Sequence, residues 1–388
     1  MAKTGSAKTR RVAVVIDLEW PYRYHQDVFV GVQRYAQQAE AWDCQIDPRP
    51  AETLAGCKKG KATYDGVVGR ITPAVAEQAK RLHIPAVNVW LGSPVVTDVP
   101  SIVQDMRSAG AMAAEHLLAR GLRSFGYLGY RRERGSAIQW QGFNSILSDG
   151  GYHASREMAP LNSSTVWAKF QATLDGWIAT WTPPIGICVV HDLPCRFLAE
   201  AIRRNGLNVP NDVALISGVN EPTIAMSGDP TLTSIEWGFD RQGFRAAELL
   251  DQLMDGKSPP SEPQLLAPVE IVVRQSTDVM AVNDSLVSRA FRFMAENSHR
   301  PIKVDDVASA VSSTRRSLER RFREVLGRTI ADEITRLRLD RVKRLLIETD
   351  EPIKNLAVQS GFGGPVQMCK VFHRIEGVTP SQFRKQRS

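Results

Sequence analysis

Thr314, Arg315, Arg316, Arg320 and Arg323 crowd into a short stretch near the C-terminal end of the 388-residue chain. Arginine presents a planar fork that can hold guanine by two parallel hydrogen bonds or pair with phosphate. Further along come Gln367, Lys370, His373 and Arg374. A glutamine amide can address the edge of adenine, whereas the three cationic or polar side chains beside it suit phosphate. One such arginine reads equally well as an ordinary exposed helix residue. A set of four on one side of one helix does not.

The elements that would carry these residues form a pattern written twice. Val304, Val307 and Ala308 are followed by Leu318, Phe322 and Val325; later Ile353, Leu356 and Ala357 are followed by Met368, Phe372 and Ile375. Each copy is an apolar stripe, a break and a second stripe, the period of two amphipathic helices joined by a tight turn. The spacing predicts helix-turn-helix units over residues 302–327 and 352–377, with one more residue in the second turn. The helix between them, Ile330 to Thr349, is expected to run roughly 30 Å at 1.5 Å per residue. That is close to the ~34 Å between successive major-groove faces on one side of a duplex. The first helical turn of each second helix would enter the groove, which puts Thr314, Arg315, Arg316 and Arg320 nearest to base edges.

Charge agrees with this division. Residues 281–388 hold 21 Lys and Arg against 13 Asp and Glu, a net +8, out of +7 for the whole chain. A near-neutral body with a basic small domain suits a polyanion for that domain alone, although a solvated basic face would look similar. Five widely spaced cysteines without a C-x-x-C pair imply free thiols and a cytoplasmic setting rather than a disulfide framework or zinc site. The basic start lacks the apolar core of a signal peptide, and no apolar run approaches a membrane span of ~20 residues.

Ahead of the basic region, residues 11–275 alternate short apolar strands with helices. Arg11 to Ile16, Tyr64 to Gly69, Pro85 to Trp90, Ser124 to Gly129, Ile185 to Val190 and Val213 to Ser217 read as strands buried on both faces. The expected architecture is an α/β body of doubly wound parallel sheets, long enough for two lobes, followed by an all-α domain at 285–388. Residues 1–10 read as a disordered tail and 276–284 as a linker. Ligands of such sheets sit beyond the strand ends, which singles out Tyr24, Gln139, Trp140, His191, Asp192, Val219, Asn220 and Trp237. Trp140 and Trp237 suit core packing equally well, and His191 is more often a structural residue at a strand end. No nucleophile elbow, acid-base pair or phosphate loop appears, so neither an enzyme nor a cofactor or metal is expected.

The C-terminal residues carry a family resemblance. Gly361-Phe362, Phe372-His373-Arg374 and Gly377 to Arg384 resemble the signature of AraC-type transcription regulators, with Met368 where that family usually has an aromatic. Asn208 to Ile216, Pro230 to Ile235 and Val272 to Arg274 make the body similar to LacI-type, periplasmic-binding-protein-like sugar sensors. A LacI-like sensor ahead of AraC-like helices resembles the xylose operon regulator family. The resemblance implies a cytoplasmic, dimeric transcription regulator whose partners are operator DNA, a small sugar effector and RNA polymerase, with no membrane. It places Asp192 where the family's pocket presents a polar pair. Val219, Gln139 and Pro194 depart from it, replacing an acidic residue and two arginines of the xylose pocket. Those departures remove charge-assisted hydrogen bonds and leave a small neutral ligand as the expectation. The alternative is a body that only dimerises and no longer senses a sugar.

Overall fold

The computed structural model describes residues 9–16, 23–39, 42–159, 167–278, 284–349 and 351–387. Most of the expected tail, and residues 279–283 of the expected linker, lie outside the described residues. In chain order the body runs β1 (Arg10–Val15), α1 (Arg23–Ala39), β2 (Trp42–Ile46), α2 (Pro50–Ala55), β3 (Gly66–Gly69), α3 (Pro73–Leu82), β4 (Ala86–Asn88) and β5 (Ile102–Gln104). It continues α4 (Met106–Ala119), β6 (Ser124–Tyr130), α5 (Arg134–Asp149), β7 (Ala154–Ala159), α6 (Trp167–Ile178), β8 (Ile185–Val189), α7 (Asp192–Arg204), β9 (Val213–Ser217) and α8 (Pro222–Ala225). It closes with β10 (Thr233–Glu236), α9 (Phe239–Met254), β11 (Gln264–Leu266), β12 (Glu270–Val272) and a 3-10 turn at Gln275–Thr277.

Two sheets make two lobes. The first has the order β2-β1-β3-β4, the second β12-β10-β9-β8-β6-β7, and β11 pairs with β5 beside the first. The strands pair parallel except β12, which runs antiparallel to β10. That edge departs from the all-parallel expectation because β12 returns directly from lobe 1 without a crossover helix. The chain passes between lobes after β5, after β10 and between β11 and β12, since α9 packs on α1 and β3 of lobe 1. Central strands are apolar on both faces: Val12 to Val14, Val67 and Val68, Ile185 to Val189 and Val213 to Ile216 are all buried.

Two helix pairs seal the lobes by close backbone contact. A Cβ on Gly31 of α1 would stand 1.9 Å from the Asp240 carbonyl oxygen, and one on Gly243 of α9 2.0 Å from that of Val28. In lobe 2 the same arrangement recurs, with Gly110 of α4 against the Gln139 carbonyl at 2.0 Å and Gly142 of α5 against Arg107 at 1.9 Å. No side chain fits at any of these four positions.

The helical domain comprises α10 (Ser285–Glu296), α11 (Val304–Ala310), α12 (Arg315–Leu326), α13 (Ile330–Glu348), α14 (Ile353–Gln359), α15 (Pro365–Glu376) and α16 (Pro380–Arg387). It has two cores. Val307, Ala308, Leu318 and Phe322 bury one around α11 and α12; Leu356, Ala357, Met368 and Phe372 bury the other around α14 and α15. The stripes read from sequence face inward in both copies, except that Val325 and Ile375 are exposed at the ends of their helices. Both second helices end on a left-handed glycine, Gly327 at φ 68° and Gly377 at φ 74°. Each is followed by a threonine cap, Thr329 with Asp332 and Thr379 with Gln382.

The first residues of the expected linker are built into the body. Ser276 and Thr277 are buried; Thr277 Oγ1 lies 3.0 Å from His116 Nε2 and 2.8 Å from Thr233 Oγ1, and its carbonyl accepts from Arg120 Nε at 2.6 Å. A polar run can be buried where its hydroxyls and carbonyls all find partners.

Candidate functional site

The carboxyl ends of β8, β9 and β10 gather most of the residues expected to meet a ligand. Asp192, the first residue of α7, is buried. Its Oδ2 accepts the Glu221 amide at 2.7 Å and its Oδ1 the Ser234 hydroxyl at 3.2 Å. Burial pushes its carboxyl up to about 6, against the pull of the Ser217, Glu221 and Ser234 hydrogen bonds and the charge of Arg274. Asn220 is held at both ends of its amide: Nδ2 donates to Glu236 at 2.7 Å, and Oδ1 accepts from buried Arg274 at 2.9 Å.

Gln139 is fully buried on α5, with Oε1 accepting the Tyr127 hydroxyl at 3.0 Å. Its Nε2 has no hydrogen-bond partner among the described residues and points toward Gly218, where a Cβ would come within 2.7 Å of it. An unmet buried amide donor is costly, so this is a position where an acceptor would be gained. Trp237 donates its indole N–H to the Gly218 carbonyl at 2.8 Å and stacks on Phe239, with centroids 6.4 Å apart. Val219 packs partly buried against the same core.

The other expected residues lie differently. Trp140 is half-buried and rests against Tyr127 and Phe143 with Arg156 over its ring. His191 precedes the first turn of α7 beside the Tyr130 ring, and burial lowers its affinity for a proton. Tyr24 belongs to lobe 1, where its hydroxyl donates to the Val89 carbonyl at 2.8 Å and its ring meets Phe239 edge-on. Pro194 lies buried in the first turn of α7. Residues that strand-end reasoning missed are Glu221, Glu236 and Arg274, which hold the loop bearing Asn220. A buried arginine facing a loop rich in carboxylates and amides is the signal that could have found them.

At the second site the two units present exposed helices. Thr314 caps α12, its hydroxyl accepting the Ser317 amide at 3.3 Å. Arg315 pairs with Glu319 at 2.9 Å and reaches Asp305 at 3.4 Å, while Arg320 pairs with Glu324 at 3.0 Å. Arg316 and Arg323 are exposed without an ion pair among the described residues. On α15, Gln367 is exposed and accepts the Gly363 amide at 3.1 Å; Lys370, His373 and Arg374 are exposed along the same helix. Behind them α13, 19 residues long, spans about 28 Å and links both units. Its fully buried Glu333 is gripped by Arg328 and Arg336, fixing the junction with the first unit.

Among the described residues no group of three His, Cys, Asp or Glu is placed to hold a metal, and no helix is long and apolar enough to cross a membrane.

Comparison with known proteins follows the same two-part division. A periplasmic binding protein-like domain model matches residues 114–277, and a helix-turn-helix domain model matches residues 307–386. The chain is 27% identical to the xylose operon regulatory protein of Escherichia coli (strain K12) over 388 residues, 97% of each chain. It is 26% identical to that of Haemophilus influenzae, covering 93% of this chain and 95% of the other. A solved structure described as a xylose-binding transcription activator superposes with TM-score 0.62 at 24% identity, covering 98% of this chain and 99% of that one. The chain thus joins a periplasmic-binding-protein-like α/β body to a helix-turn-helix domain in the order found in those regulators.

Proposed function

We propose that this chain, built along nearly its whole length like the xylose operon regulatory proteins, is a sugar-responsive, sequence-specific DNA-binding transcription regulator of a carbohydrate operon. One observation carries the reading: a two-lobed ligand-binding fold and two tandem helix-turn-helix units, each with its own core, lie in one chain. Its role is regulation rather than catalysis, in the cytoplasm, as a homodimer that contacts RNA polymerase at its promoter. Arg316, Arg320 and Arg323, with Thr314 and Arg315 at the helix start, address the first major-groove segment. Gln367 addresses the second, with Lys370, His373 and Arg374 on phosphate.

The effector meets the strand ends of lobe 2, at Gln139, Asp192 and Asn220, with Tyr24 on the facing lobe and Trp237 behind Gly218. His191 and Trp140 support that wall. Asp192, Glu221 and Glu236 surround the position with carboxylates, which favours a neutral, hydroxyl-rich molecule over a sugar acid. Gln139 offers an uncharged donor to such a hydroxyl. Control then follows if the effector binds one lobe arrangement better than the other and so shifts the population of DNA-competent chains.

The test is a thermal-shift screen of the whole chain against pentoses, hexoses and sugar acids. Stabilisation by a neutral sugar, lost in Gln139→Ala, supports a live sensor. Stabilisation by none supports the second reading, a body that only dimerises, which the hold of Glu236 and Arg274 on the Asn220 amide favours.

A further inference from the structure

Arg23 stands in the first turn of α1, in lobe 1, and its backbone N–H donates to Glu221 Oε2 at 2.8 Å. Glu221 belongs to lobe 2, in the loop between β9 and α8. A first-turn amide has no partner within its own helix, so the carboxylate meets a donor that nothing else among the described residues of α1 satisfies. The charge is also placed where the helix dipole favours an anion.

Glu221 is itself fixed. It is buried, its Oε1 accepts the Thr223 hydroxyl at 3.1 Å, and its backbone N–H donates to Asp192 Oδ2 at 2.7 Å. The same Asp192 takes the Ser234 hydroxyl at the end of β10. One carboxylate at the strand ends therefore holds the loop whose next carboxylate reaches across to the other lobe.

We propose that Glu221 is an interlobe latch: a lobe 2 carboxylate that caps helix α1 of lobe 1 and holds the body closed before any effector arrives. The inference rests on the reading of the body as a two-lobed clamp. The effector then acts on Asp192 at the root of the latch, and replacing the Glu221 amide's partner there loosens or tightens the cap. Closure is a default that the ligand modulates rather than a state it must create.

The experiment is small-angle scattering on the full chain without effector, comparing wild type, Glu221→Ala, Glu221→Gln and Thr223→Ala, each first checked for a cooperative melt. The latch predicts a larger radius of gyration for Glu221→Ala, its closed-to-open ratio falling about fivefold, the size of one helix-cap contact. Glu221→Gln, which keeps an acceptor oxygen without the charge, should lie between, and Thr223→Ala should shift in the same direction by less. Folded Glu221→Ala with the scattering profile of wild type overturns the latch. Should Glu221→Ala melt without cooperativity, the folded Glu221→Gln decides, and a profile matching wild type overturns the proposal. Because no sugar or DNA is present, these outcomes are independent of whether the chain senses a sugar.

Discussion

Gln139 and Gly218 meet so closely that a single methyl group at residue 218 would lie 2.7 Å from the glutamine's Nε2 and 2.5 Å from the Val190 carbonyl oxygen. The glutamine can turn away, but the strand-end carbonyl cannot. Gly218→Ala should therefore destabilise the body by about 1–3 kcal/mol, the usual cost of overpacking. It should also displace the amide and weaken binding of any stabilising sugar. Denaturant unfolding alongside a sugar titration checks both.

Asp192 makes stability depend on pH. Its carboxyl is raised to about 6 from an ordinary 3.8, because burial opposes the charged form. A raised carboxyl pKa means the folded protein holds the proton longer than the unfolded chain does. The charge penalty is thus fully present above pH 6 and is relieved as pH falls toward 4. A shift of this size corresponds to about 3 kcal/mol across the window. Relative to Asp192→Asn, whose amide does not titrate, wild type should gain stability between pH 7 and pH 5. Parallel pH profiles for the two proteins would contradict the assignment.

The two turn positions Ser312 and Gly361 are equivalent in the repeat, and both are left-handed, at φ 55° and 66°. Serine bears a steric cost there that glycine does not. Ser312→Gly should stabilise the first unit by up to about 1 kcal/mol. The reverse change is not tolerated, since a Cβ at Gly361 would stand 2.4 Å from the Arg300 carbonyl oxygen. Thermal melts of the two variants should move in opposite directions.

Arg316 and Lys370 should separate by how they fail. Arg316→Ala should lose about 1–3 kcal/mol on promoter DNA with little loss on scrambled duplex, whereas Lys370→Ala should weaken both and lower the salt slope by about one. Fluorescence anisotropy across a salt series reads both effects. Equal losses for Arg316→Ala on both duplexes would make it a phosphate contact.

How much of this was legible in the chain depends on how local the signal is. The helical repeat could be read because each stripe is a period within a dozen residues, and even the extra residue of the second turn shows in the offset. The central strands could be read because they are apolar on both faces. The edge strand β2, with Asp43 and Gln45 in its run, and β7, with Arg156 and Glu157, carry no such pattern. They form because a neighbouring strand offers its free edge. Ser276 and Thr277 looked like linker because their partners, His116, Arg120 and Thr233, are distant in sequence. Glu221 was missed for the same reason: its meaning lies in a helix start almost two hundred residues away, at Arg23.

The central claim is that one chain couples a small-molecule clamp to groove-reading helices. The direct measurement is the affinity of the full protein for its own upstream promoter duplex and for a scrambled duplex, at moderate salt, with and without the sugar that stabilises it most. The account predicts promoter binding at least ~10³-fold tighter than scrambled, and a change in that promoter affinity when the sugar is added. Equal affinity for both duplexes, unchanged by every sugar tested, would contradict it.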